Sequence, residues 1–193
     1  MKLGIFGGAF NPPHIAHLIV AESVREQLQL DKVVFVASAD PPHRSDVGRA
    51  TASTRFEMTK LSVDDNNFFE VSDIEIQRAG KSYTIDTLAV LEGLYPGSKL
   101  YLLIGSDNLA EFHTWKSSGE ILTKCELVAF SRPDFSMKEL KNEFAKSARI
   151  VNVPHVGISA SEIRRRVKMG RSIRYMVRRN VEEYILRNGL YRG

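Results

Sequence analysis

Short apolar runs closed by turn residues recur along the chain. They are KLGIF at residues 2–6, KVVFVAS at 32–38, FFEV at 68–71, KLYLLIGS at 99–106, CELVAFS at 125–131 and ARIVNV at 148–153. Each is brief and rich in Val, Ile, Leu or Phe, the pattern of a strand buried on both faces. Between most of them the apolar positions recur at helical period, at residues 15–29, about 53–64, 84–94, 108–122 with an interruption, and 137–145. Strand alternating with helix predicts parallel pairing through right-handed crossovers. The expected fold is α/β, a Rossmann-like three-layer sandwich with a mostly parallel central sheet. The rhythm changes at the end, where helices at 159–168 and 177–188 follow each other with no strand between them. Residues 158–193 therefore read as a helical C-terminal part of one domain spanning 1–193, a size that buries a single core.

In such sheets ligands bind beyond the carboxyl ends of the strands, beside the point where strand order reverses. The segments following the strands there are GGAFNPPHIAH, ADPPHR, SDN and RP. They hold nearly all the chemically capable residues. Gly7 and Gly8 follow the first strand directly and lack the Cβ that would keep an anion from the backbone N–H groups. Pro12 and Pro13 precede a helix rather than lie in one, which starts it near His14. His14 and His17, three apart at that helix's N-terminus, share a face and can both donate to phosphate oxygens where the helix dipole favours negative charge. The competing reading makes His17 a core histidine, since Ala21, Val24 and Leu28 continue its face at helical intervals. A zinc site does not fit, because the spacing is three rather than four and no nearby Cys or carboxylate completes it.

Charge adds one asymmetry. The net charge is +4, but residues 159–193 carry ten Lys/Arg against three Glu, net +7, so the preceding chain is net −3. That tail suits a phosphate-rich ligand or a polyanion. Cys125 is the one cysteine, which excludes an internal disulfide and a multi-cysteine metal site, and its place at the edge of an apolar run reads as a buried, inert thiol. No apolar run is long enough for a membrane span and the N-terminus lacks the hydrophobic part of a secretory signal, so a cytoplasmic location is expected.

The segment GGAFNPPHIAH resembles the first signature of the nucleotidylyltransferase superfamily, a Gly-rich turn, Phe, Asn or Asp, Pro, then [His/Thr]-x-Gly-His. Ala16 stands where Gly is most frequent. The second signature, Ile-Ser-[Ser/Thr]-x-x-Arg, is similar to ISASEIR at residues 158–164. Its physical reading is a helix capped by Ser159 or Ser161, with Arg164 projecting from the early turns toward an anion. In RRR at 164–166 successive side chains fan about 100° apart, which leaves Arg165 and Arg166 to solvent.

Further segments resemble the nicotinate-nucleotide adenylyltransferase branch over essentially the whole chain: PPHR, GKSYTIDTL, LIGSDN, TWK, SRP, RSIRYMV and YILRNGLY. That resemblance implies ATP around Gly7, Gly8, Ala9, Phe10, Gly105, Asp107, Arg132, Ile158, Ser159 and Ser161, with His14, His17 and Arg164 acting on its phosphates. It implies nicotinate mononucleotide around His43, Arg44, Ser82, Tyr83, Thr84 and Trp115, and Mg²⁺ held through the ATP phosphates rather than by a protein cage. Arg44 replaces the more usual Lys. Ser82 or Thr84 could equally cap the helix at 85–94, Asp107 could cap the helix after its strand, and Trp115 could be core.

The reaction so implied is adenylyl transfer from ATP to nicotinate mononucleotide with release of pyrophosphate. Another transferase of the superfamily, such as the phosphopantetheine enzyme, is the nearest alternative, and the SYTIDT and TW segments argue against it. A nucleic-acid-binding module using the basic tail is the alternative from a different class; its charges lie on helices with apolar faces at Val177, Val181, Tyr184 and Ile185, which favours packing instead. Self-association into a homo-oligomer stays open.

Overall fold

The computed structural model describes residues 1–39, 50–78, 80–131 and 143–192. Six strands form one sheet: β1 Lys2–Gly8, β2 Lys32–Ala37, β3 Phe69–Ser72, β4 Lys99–Gly105, β5 Cys125–Phe130 and β6 Arg149–Val151. The order is β3-β2-β1-β4-β5-β6, and every pairing is parallel. The helices are α1 Ile15–Leu28, α2 Ala52–Val63, α3 Ile74–Gln77, α4 Thr84–Leu94, α5 Ser106–Glu111, α6 Ser118–Lys124, α7 Glu143–Ser147, α8 Ala160–Lys168 and α9 Arg179–Arg187. This is the expected Rossmann-like α/β architecture.

Side-chain alternation explains the three layers. Leu3, Ile5, Val34, Val36, Leu102 and Ile104 leave the sheet on one side and pack with Ile85, Leu88 and Leu91 of α4 and with Leu109 and Ile121 of α5 and α6. Phe6, Val33, Phe35, Tyr101 and Leu103 leave on the other, against Ala21, Val24 and Leu28 of α1. A fully buried Val, Leu or Phe stabilises the fold by about 1.5–3 kcal/mol, so the two faces together hold the sheet between its helices. α8 and α9 form a third cluster, in which Ile163, Val167, Ile173, Val177, Val181 and Ile185 surround Met58 of α2.

The boundaries depart from the sequence reading where local chemistry intervenes. The interruption within 108–122 is a 3₁₀ turn, Phe112–Thr114, followed by Ser117 in the left-handed region with φ 54°. α9 starts at Arg179 rather than 177 because Val177 bridges to Arg174 and Arg178 is the extended N-cap. α3, four residues long, carries no periodicity a sequence could show. Of the helix expected at 137–145, residues 137–142 lie outside the described residues. Connections from β1 and β2 pass over one face and that from β3 over the other, so strand order reverses between β1 and β4. The candidate site lies at the carboxyl ends there.

Candidate active site

The turn after β1 is held from inside. A Cβ on Gly8 would stand 2.9 Å from the ring of Phe10, so glycine there makes room for a core side chain, whereas a Cβ on Gly7 would meet open space. Phe10 itself has φ 44°, a left-handed conformation that costs a non-glycine residue about 1–2 kcal/mol. Its ring is 3% exposed and packs on Phe6 and Phe35 at 5.9 and 5.7 Å.

His14 is the N-cap of α1 and His17 its third residue. The His14 backbone N–H donates to Nδ1 of His17 at 3.1 Å. With Nδ1 accepting, a neutral His17 carries its proton on Nε2 and presents a donor there. The two rings stack at 3.6 Å with 23° between planes. His17 also meets the ring edges of Phe6 and Phe10 at 6.0 and 5.2 Å. The body of the His17 ring thus packs against the core, while its polar edge lies beside His14. The expected row of open N–H groups at this helix end is partly used, since the Ile15 N–H donates to the Met176 carbonyl at 2.9 Å.

The second motif reaches the same loop. Ser159 is the N-cap of α8 and accepts from the Glu162 N–H at 3.2 Å. Arg164 donates through one guanidinium nitrogen to the Asn11 carbonyl at 2.8 Å and through the other to Ser161 Oγ at 3.2 Å. Arg165 instead forks onto Glu162 at 2.8 Å, and Arg166 donates to the Ser172 carbonyl at 2.7 Å. The fan expected for these three arginines is what the helix shows. Ile158 is half-buried beside the α8–α9 cluster.

Residues that sequence reasoning passed over support this loop from behind. Arg55 of α2 is 1% exposed, and its guanidinium donates to the carbonyls of Ala9 at 2.7 Å, Ala39 at 3.1 Å and Ala50 at 3.1 Å. Asn11 Oδ1 accepts from the Ala50 N–H at 3.1 Å and from the Tyr191 hydroxyl at 2.8 Å. Arg55 had a detectable signal: Met58, Thr59 and Ser62 continue its face at three, four and seven residues, so this arginine belongs to the buried stripe of its helix.

Beside the loop lies a cavity of about 300 Å³ at the carboxyl ends of β1, β2 and β4. Of the expected residues, Gly7, Gly8, Ala9, Ser82, Tyr83, Thr84, Asp107 and Trp115 line it, while His14, His17 and Arg164 do not. Ser38, Glu75, Asn108, Glu111 and Lys116 also line it and were not anticipated. Glu75 is 8% exposed; its Oε1 accepts from the Thr87 hydroxyl at 2.7 Å, while Arg78 donates to that hydroxyl at 3.3 Å, joining α3 to α4.

Capping explanations for this side do not hold. Tyr83, not Ser82 or Thr84, is the N-cap of α4, and its side chain makes no cap bond; Ser82 Oγ instead accepts from the Ala39 N–H at 3.2 Å, joining the end of β2 to the start of α4. Gly105 is the buried N-cap of α5, and Asp107 sits in that helix's first turn. Trp115 is half-buried, resting on Phe112 at 5.2 Å, and lines the cavity. Lys116 Nζ lies 4.5 Å over the Tyr83 ring and 3.4 Å from Asp86. Cys125 is buried and its thiol is pushed up to about 12 by burial, which makes it inert at neutral pH. His43, Arg44 and Arg132 lie outside the described residues.

Comparison with known proteins shows the family. The cytidylyltransferase-like family profile matches residues 5–166. A chain from Desulfitobacterium hafniense strain Y51, named probable nicotinate-nucleotide adenylyltransferase, is 44% identical over 99% of this chain and 96% of its own length. A chain of the same name from Thermus thermophilus is 44% identical over the full length of both. Among solved structures, Plasmodium falciparum nicotinic acid mononucleotide adenylyltransferase complexed with NaAD superposes with a TM-score of 0.81 at 19% identity, covering 98% of this chain and 97% of its own, which speaks for the fold. The chain belongs to the cytidylyltransferase-like family, in its nicotinate-nucleotide adenylyltransferase branch.

Proposed function

We propose that this chain transfers the adenylyl group of ATP to nicotinate mononucleotide, giving nicotinate adenine dinucleotide and pyrophosphate in NAD biosynthesis. The observation that carries the reading is the meeting of two remote motifs: Arg164 reaches Asn11 at 2.8 Å, in the loop that leads to the stacked His14 and His17. Full-length similarity to nicotinate-nucleotide adenylyltransferases supports the choice of acceptor.

An oxygen of the mononucleotide phosphate attacks the α-phosphorus of ATP. A P–O–P linkage forms, the α–β bridge breaks, and pyrophosphate leaves with the electron pair. A phosphate monoester is already largely dianionic at neutral pH, so no general base is needed. The work is to bring two polyanions together and to stabilise charge developing on the leaving group. His14, His17 and Arg164 are the donors assigned to the phosphates. Gly7, Gly8 and Ala9, with Asp107 and Ser159, belong to the ATP side. Ser82, Tyr83, Thr84 and Trp115 belong to the acceptor.

Among the described residues no three His, Cys, Asp or Glu gather as a metal site. Mg²⁺ would be carried on the ATP phosphates and water, where it would supply charge neutralisation. Residues 1–193 act as one unit in this reading, because α8 and α9 share a core with α2. A cytoplasmic setting belongs to it as well, in keeping with a single buried thiol. The nucleic-acid reading is disfavoured, since Val177, Val181 and Ile185 are buried.

The test is pyrophosphate release from ATP against a panel of nicotinate mononucleotide, nicotinamide mononucleotide and phosphopantetheine. Release with the nicotinate compound foremost supports the assignment; preference for phosphopantetheine, or no release with any acceptor, overturns it.

A further inference from the structure

The YILRNGLY segment has no part in the chemistry described above, yet it returns the chain to the catalytic loop. After α9 the backbone turns through Gly189 with φ 62°, and the Leu190 N–H closes on the Ile185 carbonyl at 3.0 Å. Tyr191 follows with φ 64°, a left-handed conformation that a non-glycine residue keeps only when its surroundings impose it. What that conformation achieves is visible at the far end of the side chain. The hydroxyl donates to Asn11 Oδ1 at 2.8 Å, across 180 residues of sequence, and passes 3.9 Å from Met58 Sδ.

Asn11 stands between the Gly-rich turn and His14, and it is 7% exposed. Its side-chain oxygen takes the Tyr191 hydroxyl and the Ala50 N–H, while its backbone carbonyl takes Arg164. Two donors on Oδ1 fix which way the amide is turned, and the third fixes the peptide plane. Beyond Asn11, at the first residue of α1, the Ile15 N–H is taken by Met176 of the same C-terminal part. We infer that Tyr191 is a positioning residue for adenylyl transfer, acting through Asn11 to hold residues 9–14 in the conformation that presents His14 and His17 to the phosphates. Burial raises the phenol well above its ordinary range, against the lowering pull of Arg164 and Arg55, so it stays a donor throughout the neutral range.

The inference rests on the proposed role of the two histidines, and one set of variants separates the two. Tyr191→Phe removes only the hydroxyl and keeps the ring in its cluster. It should lower kcat about tenfold while the KM for nicotinate mononucleotide changes less than about twofold and the far-ultraviolet circular dichroism is unchanged, a loss of one interaction made in the transition state. Against an Asn11→Ala background the same substitution should cost no further kcat, because the residue it acts through is gone. A Tyr191→Phe protein with wild-type kcat, or one that loses as much in the Asn11→Ala background as in the native one, overturns the inference. If His17→Ala is impaired while Tyr191→Phe is not, the histidine assignment stands and only the tyrosine role fails. If His17→Ala keeps wild-type turnover, the underlying reading fails first.

Discussion

The loop from Ala9 to His14, proposed to meet the phosphates, is tied from behind by side chains of α2, α8 and the end of the chain, whereas the cavity beside it, proposed to take the acceptor, is lined by strand ends and the helix starts that follow them. Arg55, Arg164 and Tyr191 reach Ala9 and Asn11 across 46, 153 and 180 residues. The cavity wall is joined by Ala39 to Ser82 and by Glu75 to Thr87, across 43 and 12 residues, and its aromatic parts, Tyr83 and Trp115, stay half-exposed. The two constructions suit two tasks. Donors that must meet charge as it develops lose their advantage if they have to reorganise, so the loop that carries them is tied at several points. Selection of an acceptor is a difference between two affinities and can be made by a few polar groups at a more open wall. Damage to the first region should therefore appear in stability and kcat, and damage to the second in KM and selectivity.

The largest effect should come from Arg55→Ala. Orphaning a buried carbonyl costs about 1–3 kcal/mol, and up to three are orphaned here, so a stability loss of about 3 kcal/mol or more is expected in chemical denaturation. Arg179→Ala, which removes an exposed pair with Glu183, should cost less than about 1 kcal/mol. Equal losses for the two would mean that the loop is not held through Arg55.

Next is His17→Ala, which should reduce turnover by about 10²-fold or more with the fold intact. Near-normal turnover in a folded protein would return His17 to the core and remove the functional half of the comparison.

Arg164→Ala should weaken ATP use by about tenfold or more, in line with about 1.5–3 kcal/mol for a hydrogen bond to a charged group. Arg165, forked onto Glu162 at the surface, should be replaceable by Ala with little change. The ATP dependence of each variant decides it, and equal effects would show that α8 presents a different face to the nucleotide.

The acceptor side carries the smallest effect. The two pyridine mononucleotides differ by a carboxylate against a neutral amide. The first turn of α4, beginning at Thr84, offers backbone donors and a favourable dipole, which a carboxylate matches and an inward-turned NH₂ does not. An unmatched buried polar group costs about 1–3 kcal/mol, so kcat/KM should favour nicotinate mononucleotide by about one to two powers of ten. Trp115→Ala should weaken both acceptors and leave their ratio unchanged. Equal use of both by the native protein, or a Trp115 variant that loses only the ratio, would move selectivity to another element.

The same contrast governs what could be read from the sequence. Strands were legible because burial on both faces leaves an unbroken apolar run, as in KVVFVAS and KLYLLIGS. The placement of His14 and His17 at the start of α1, and of Arg164 on the helix capped by Ser159, was legible because Pro-Pro and Ser mark where those helices begin. The burial of Arg55 is legible in the stripe it shares with Met58, Thr59 and Ser62, but its role is not, because two of its carbonyl partners, those of Ala9 and Ala39, belong to other segments. The contact of Tyr191 with Asn11 is not legible, since nothing local in NGLY points to residue 11. Glu75 sits on α3, too short to show a period. The capping explanations for Ser82, Thr84 and Asp107 came from correct local preferences, which the packing of β2 against α4 and the place of Gly105 override.

The central place of β1 has a consequence for the order of folding. Its partners are β2 on one edge and β4 on the other, with Leu3 opposite Lys32 and Leu100. β2 lies within the first forty residues, but β4 begins at Lys99. A growing chain that has reached β3 can assemble β3-β2-β1 while the other edge of β1, with Leu3 and Ile5 in it, still lacks its neighbour. An unpaired apolar edge is a template for joining to other chains. A fragment ending near residue 72 should therefore aggregate more readily than the whole chain, which a comparison of the two by light scattering checks.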